Sequence, residues 1–150
     1  MPHSPRIYDG KLYMLLSATG ELICVNPESG SYDVVTRVKG FVRGMAKYGD
    51  FLFIGRSKLR KTSTTFEKLK DTRVGQESDN AGVSIVHLPT GNVVAELTYL
   101  NSVEEIYDIQ IIPSVRPGIL NTMTPEHTLG LSIPQKVYWA DYPKPGEVRN

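Results

Sequence analysis

Residues able to do chemistry together stand at three distant places in this chain: His3 with Ser4 and Arg6, then Arg43, then the adjacent carboxylates Glu104 and Glu105. An imidazole exchanges protons near neutral pH, and a guanidinium grips a carboxylate or phosphate through two parallel N–H donors. A carboxylate orients an imidazole or relays its proton. Pro2 and Pro5 bracket His3 and stiffen its backbone, which suits a positioned side chain. These groups meet only if each opens the inner strand of a repeated unit. On that reading His3–Ser4, Val42–Arg43 and Glu104–Glu105 are equivalent starts, converging at the mouth of a shared channel, where ligands collect. The plainer reading pairs Arg43 with Glu105 as an ion pair that holds neighbouring units in register.

The elements that would position them are written twice. Residues 21–30, ELICVNPESG, and residues 82–91, GVSIVHLPTG, are each a short apolar strand running into a Pro-containing turn that closes on Ser/Thr–Gly. A second strand follows each copy, at 32–35 and 92–97. Upstream, Tyr8-Asp9-Gly10-Lys11-Leu12-Tyr13 and Tyr48-Gly49-Asp50-Phe51-Leu52-Phe53 are one hairpin with its turn residues exchanged. The repeat therefore spans inner and outer hairpins. It predicts an all-β chain of two to three antiparallel four-stranded meanders of propeller-blade type, a partial β-propeller over residues 1–120. The units fall at 4–38 and 41–99. A third starts at 103–120, where alternation from Ile106 reads as a strand. An insertion without strand pattern fills 56–80, read as a loose loop or as a lid or partner-binding element. Residues 121–150 read as an irregular tail or cap, with only 137–140 fit to be a strand.

Composition narrows the function classes. The chain has 150 residues, ten prolines, thirteen glycines and a net charge of +1, which gives no general reason to bind nucleic acid or an anionic membrane. The basic run from Arg56 to Lys61 lacks the interleaved aromatics of a single-strand binder. No apolar run is long enough to span a bilayer and no signal peptide is evident, so the expected compartment is the cytoplasm. Cys24 is the single cysteine and reads as a buried thiol. His3, His87 and His127 lack ligand-like spacing, and neither a metal nor a cofactor is expected. There is no Gly-x-Ser-x-Gly elbow, phosphate-cradling Gly-x-x-x-x-Gly-Lys loop or Cys-x-x-Cys pair.

Pro2-His3-Ser4-Pro5-Arg6 with the following Tyr8-Asp9-Gly10-Lys11-Leu12, Gly20-Glu21-Leu22 and Gly40-Phe41-Val42-Arg43-Gly44 resembles an uncharacterised bacterial family of propeller-like proteins. Glu104-Glu105-Ile106-Tyr107-Asp108-Ile109-Gln110-Ile111-Ile112-Pro113 resembles a further stretch of the same family. The resemblance covers residues 2–118 and implies a fold, with no established reaction. Family members run to about twice this length with the His-Ser-Pro-Arg stretch in mid-chain, so this chain resembles a C-terminal half. Half a propeller leaves faces uncovered, and self-association into a closed homo-oligomer would bury them. The expected function is a binding or scaffolding module for a protein or a small polar or anionic ligand. The alternative is a channel-mouth enzyme, of hydrolase or isomerase type, using His3 with Glu104 or Glu105 and Arg43.

Overall fold

Turn chemistry sets the strands. Asp9 and Gly10 both take positive φ, 50° and 74°, which is what a two-residue hairpin loop between right-twisting strands demands. They join β1 (Pro2–Tyr8) to β2 (Lys11–Leu16). β3 (Glu21–Val25) and β4 (Tyr32–Arg37) complete a four-stranded antiparallel sheet in sequential order. In the turn between them, Asn26 Oδ1 accepts the N–H groups of Glu28 and Ser29, and Gly30 closes it at φ 72°. A second sheet of the same order holds β5 (Phe41–Tyr48), β6 (Phe51–Ser57), β7 (Gly82–His87) and β8 (Asn92–Thr98). The computed structural model describes residues 1–59, 67–101 and 103–112, and the backbone of 129–133 and 136–140.

The two sheets are copies of one another down to the pairing register. The shift that carries Tyr8 onto Tyr48 also carries Pro2↔Leu16 onto Val42↔Arg56 and Ile7↔Leu12 onto Lys47↔Leu52. In the outer strands Leu12↔Val25 falls on Leu52↔Val86, and Glu21↔Arg37 on Gly82↔Thr98. Each inner strand carries a bulge, between His3 and Arg6 in β1 and between Val42 and Met45 in β5. Each outer strand, exposed at the sheet edge, carries one too, a device that keeps edges from pairing further.

The sheets stack face to face. Tyr13, Leu15 and Leu22 of the first, with Val38 from the connection, meet Val42, Met45, Leu52, Ile54 and Val86 of the second in one buried cluster. Each such aliphatic side chain contributes about 1.5–3 kcal/mol when fully buried. Side chains alternate across a strand, so each sheet has a second face that this cluster leaves open. On the first it holds Ile7, Leu12, Val25 and Tyr32 in one row and Met14, Ile23 and Val34 in the next. On the second it holds Phe51, Phe53, Val83, Ile85 and Leu97.

Three expectations change. The strandless stretch expected at 56–80 starts later, because Arg56 and Ser57 complete β6. Its described remainder contains helix α1 (Arg73–Gln76), which is capped by Thr72 and buries Val74. Beyond α1, buried Ser78 accepts the Phe41 N–H at 2.9 Å and donates to the Val74 carbonyl. Apolar burial and a satisfied backbone donor therefore tie this segment to the start of β5. Residues 103–112 are not a strand, since their backbone groups are engaged elsewhere. The Lys58 N–H donates to the Glu104 carbonyl, and Ile106 binds the Ser57 hydroxyl through both its N–H and its carbonyl. Residues 113–120 of the expected third unit lie outside the described residues. The expected irregular end contains an antiparallel hairpin, β9 (Leu129–Ile133) with β10 (Lys136–Ala140). The chain divides into two compact units, Met1–Ile111 with both four-stranded sheets and Ile112–Asn150 with this hairpin.

Gly44 is a tight joint between separate segments of the chain. Its φ is 77°, and a Cβ there would lie 2.5 Å from the Asp108 Cα. Gly49 has φ 55° with open space around it. Gly49→Ala should therefore cost about 1 kcal/mol, from backbone strain alone, and Gly44→Ala about 3 kcal/mol, because the neighbouring segment must also move. Urea unfolding of both variants checks the difference.

Candidate functional site

The bulges of β1 and β5 bring the candidate residues together. Ser4 takes φ 54°, a left-handed conformation that costs a non-glycine residue about 1–2 kcal/mol. Its hydroxyl accepts the Gly44 N–H at 2.9 Å, joining the first sheet to the second. The shared register makes Ser4 the counterpart of Gly44 and His3 the counterpart of Arg43, one residue away from the expected match with Val42–Arg43. The reason is local: the residue with positive φ is Ser4 in one strand and Gly44 in the other.

The third segment meets this joint through different residues than the sequence suggested. Glu104 turns away, its carbonyl on the Lys58 N–H and its carboxylate 4.0 Å from Lys58 Nζ. Neither Glu104 nor Glu105 makes an ion pair with Arg43 or His3 among the described residues. Asp108 lies against Gly44 instead, and its carboxylate takes Arg6 Nη2 at 2.8 and 3.1 Å. The Gln110 side-chain amide also donates to it, at 3.4 Å. Half exposed, the Arg6–Asp108 pair contributes about 1 kcal/mol or less, so its main effect is to fix where the segment sits. Arg43 lies over Tyr107, its guanidinium carbon 3.8 Å from the ring centroid, a cation–π contact that takes up none of its N–H donors.

His3 is half buried beside these cations. Burial first, then the charge of Arg43 and the N-terminal ammonium, hold its pKa below the ordinary 6.5, so the ring is neutral at pH 7 and offers one N–H donor. Tyr8 donates its hydroxyl to the Met45 carbonyl at 3.2 Å beneath the joint, and burial pushes its pKa up.

Of the residues that the sequence suggested, His3, Ser4, Arg6 and Arg43 come to this joint, where Tyr107 and Asp108, which it did not single out, meet them. The available signal was the aromatic–acid pair inside the alternating run at 106–112. The more conspicuous Glu104-Glu105 stands three residues before it. The other polar candidates go to structural partners. Arg56 is buried against Glu96 and Thr98, Arg73 spans Thr19 and Glu77, and His87 contacts Thr90 and the Phe51 ring. Cys24 is half buried on the edge of the core, and His127 lies outside the described residues. Among the described residues no helix is long and apolar enough to cross a membrane.

The electrostatics can be checked at His3. With its folded pKa below 6.5, the unfolded chain binds the proton more readily, so His3 costs stability as pH falls below 6.5 and costs none above it. Arg43→Met should move the His3 pKa upward without restoring 6.5, because burial is the larger cause. An NMR titration of the imidazole reads this directly, and an unchanged pKa would remove Arg43 from its surroundings.

No curated protein matches the chain. The family description "Domain of unknown function (DUF4915)" matches residues 1–120, which hold both sheets and every residue of the joint. The chain belongs to the DUF4915 family.

Proposed function

We propose that this chain is a binding module built on two consecutive propeller blades, and that further copies of the chain complete its ring. One observation carries the reading: the register that superimposes the sheets also assigns their faces. Tyr13, which faces the second sheet, has Phe53 as its counterpart, on the open face of that second sheet. Leu52, which faces the first sheet, has Leu12 as its counterpart, on the open face of the first. The Phe53 face of one copy is thus the equivalent of a surface that already packs on a Leu52-type face, and the Leu12 face of another copy is of that type. The exposure of Ile7 (73%) and Leu97 (48%) on these two faces supports an interface there. Such contacts are head-to-tail and close into a ring when the rotation permits. Binding is favoured over catalysis because the Glu104 carboxylate lies toward Lys58 and no carboxylate of the described residues is hydrogen-bonded to the His3 ring.

Light scattering on a size-exclusion column should give a mass of several chains that persists on dilution. Ile7→Glu and Leu97→Glu, each at an exposed position, should each give monomers. Mixing these two variants should restore a dimer, since each retains the face that the other lacks. A monomeric wild-type chain would overturn the ring. Self-association that survives both single variants, or that is not recovered on mixing, would overturn the head-to-tail contact.

A further inference from the structure

Where β1, β5 and residues 103–112 converge, Arg43 has no carboxylate ion pair among the described residues. Two other cations there have one. Arg6 is satisfied by Asp108, and Lys58 lies against Glu104. Arg43 is half buried, and no carboxylate pairs with it among the described residues. Its guanidinium lies over the Tyr107 ring. An aromatic ring on one face of a guanidinium fixes its plane, yet takes up none of the in-plane donors that match a carboxylate or phosphate. His3, the register counterpart of Arg43, stands on the neighbouring strand with no hydrogen bond to another described residue. The Arg43 charge acts on the His3 ring, which works against a metal ion and in favour of an anion. Ser4 is held in its left-handed conformation beside both, with its hydroxyl engaged by the Gly44 N–H. Strained residues of this kind persist where the surrounding structure over-determines them, and they cluster at ligand sites.

We propose that His3, Arg43 and Tyr107 form a binding site for a small oxyanion, a carboxylate or phosphate group. Arg43 supplies a two-donor fork, His3 supplies an N–H, and Tyr107 holds the fork in plane. Arg6 and Asp108 are positioning residues, which fix the third segment so that Tyr107 lies under Arg43. The site lies within one chain, so it stands whether or not copies of the chain close a ring.

The test is an NMR titration of the full-length chain with inorganic phosphate and, separately, with succinate, at constant ionic strength. Saturable shifts of the His3 imidazole and the Arg43 Nε–H are expected, with the His3 pKa rising as anion binds. Whichever anion saturates at lower concentration identifies the group recognised. Arg43→Met should weaken binding at least tenfold, and Tyr107→Leu should weaken it less. Arg37→Met, which removes an exposed cation paired with Glu21, should leave it unchanged. Arg43→Lys keeps the charge but not the fork, and should lie between wild type and Arg43→Met, which guards against misreading a misfolded variant. The absence of saturation with either anion would overturn the proposal. So would equal weakening by Arg43→Met and Arg37→Met, which would mark the effect as general charge screening.

Discussion

Everything in the first unit depends on how closely three backbones approach at Gly44. The residue has no Cβ and a left-handed φ, so its N–H can turn to the Ser4 hydroxyl while Asp108 packs against its Cα. A larger residue would push the 103–112 segment away and take Tyr107 off Arg43. Gly55 repeats the device one strand further in, where a Cβ would strike the Arg43 carbonyl and the Ile106 side chain. Two glycines and one strained serine therefore decide whether the inner strands converge or merely lie near one another.

The apolar contact between the sheets supplies most of the stabilisation, and the polar joint supplies register. Leu15, Leu22, Leu52 and Ile54 would pack almost as well after a small slide. The Ser4–Gly44 hydrogen bond and the Ser57 clip on Ile106 would not survive one, since each joins single atoms at a fixed place along the strand. Helix α1 adds a third pin by bringing Ser78 to the Phe41 N–H at the first residue of β5. This explains how a long insertion between β6 and β7 leaves both sheets in identical register: it anchors at the strand start and spares the ladder.

Much of this was legible in the sequence because turns write themselves plainly. Asp9-Gly10, Gly49-Asp50 and the two closing glycines, Gly30 and Gly91, mark the hairpins, and alternation fixes which residues share a face. The bulges left no such mark. Both inner strands carry the same bulge, so one shift holds through it, and the repeat of Tyr8 at Tyr48, followed back along the strand, places His3 on Arg43 rather than on Val42. The third segment misled for a related reason. Its alternation is that of a strand, yet its hydrogen bonds go to a serine hydroxyl and a single lysine amide, partners that no periodicity announces. The hairpin of β9 and β10 escaped because Leu129-Gly130-Leu131 has little β-branched or aromatic character to set it apart.

The same error conceals a regularity that the corrected register exposes. The register places His3 and Arg43 at corresponding positions of β1 and β5, and Tyr107 stands one residue before Asp108, whose backbone lies against Gly44. One repeated position thus holds an imidazole in the first sheet and a guanidinium in the second. Residue types differ elsewhere between the sheets too, with Lys47 in the place of Ile7 and Arg56 in the place of Leu16, while the backbone pairing is kept. The repeat therefore conserves the ladder and leaves side chains free to differ, which lets unlike groups meet where the inner strands converge.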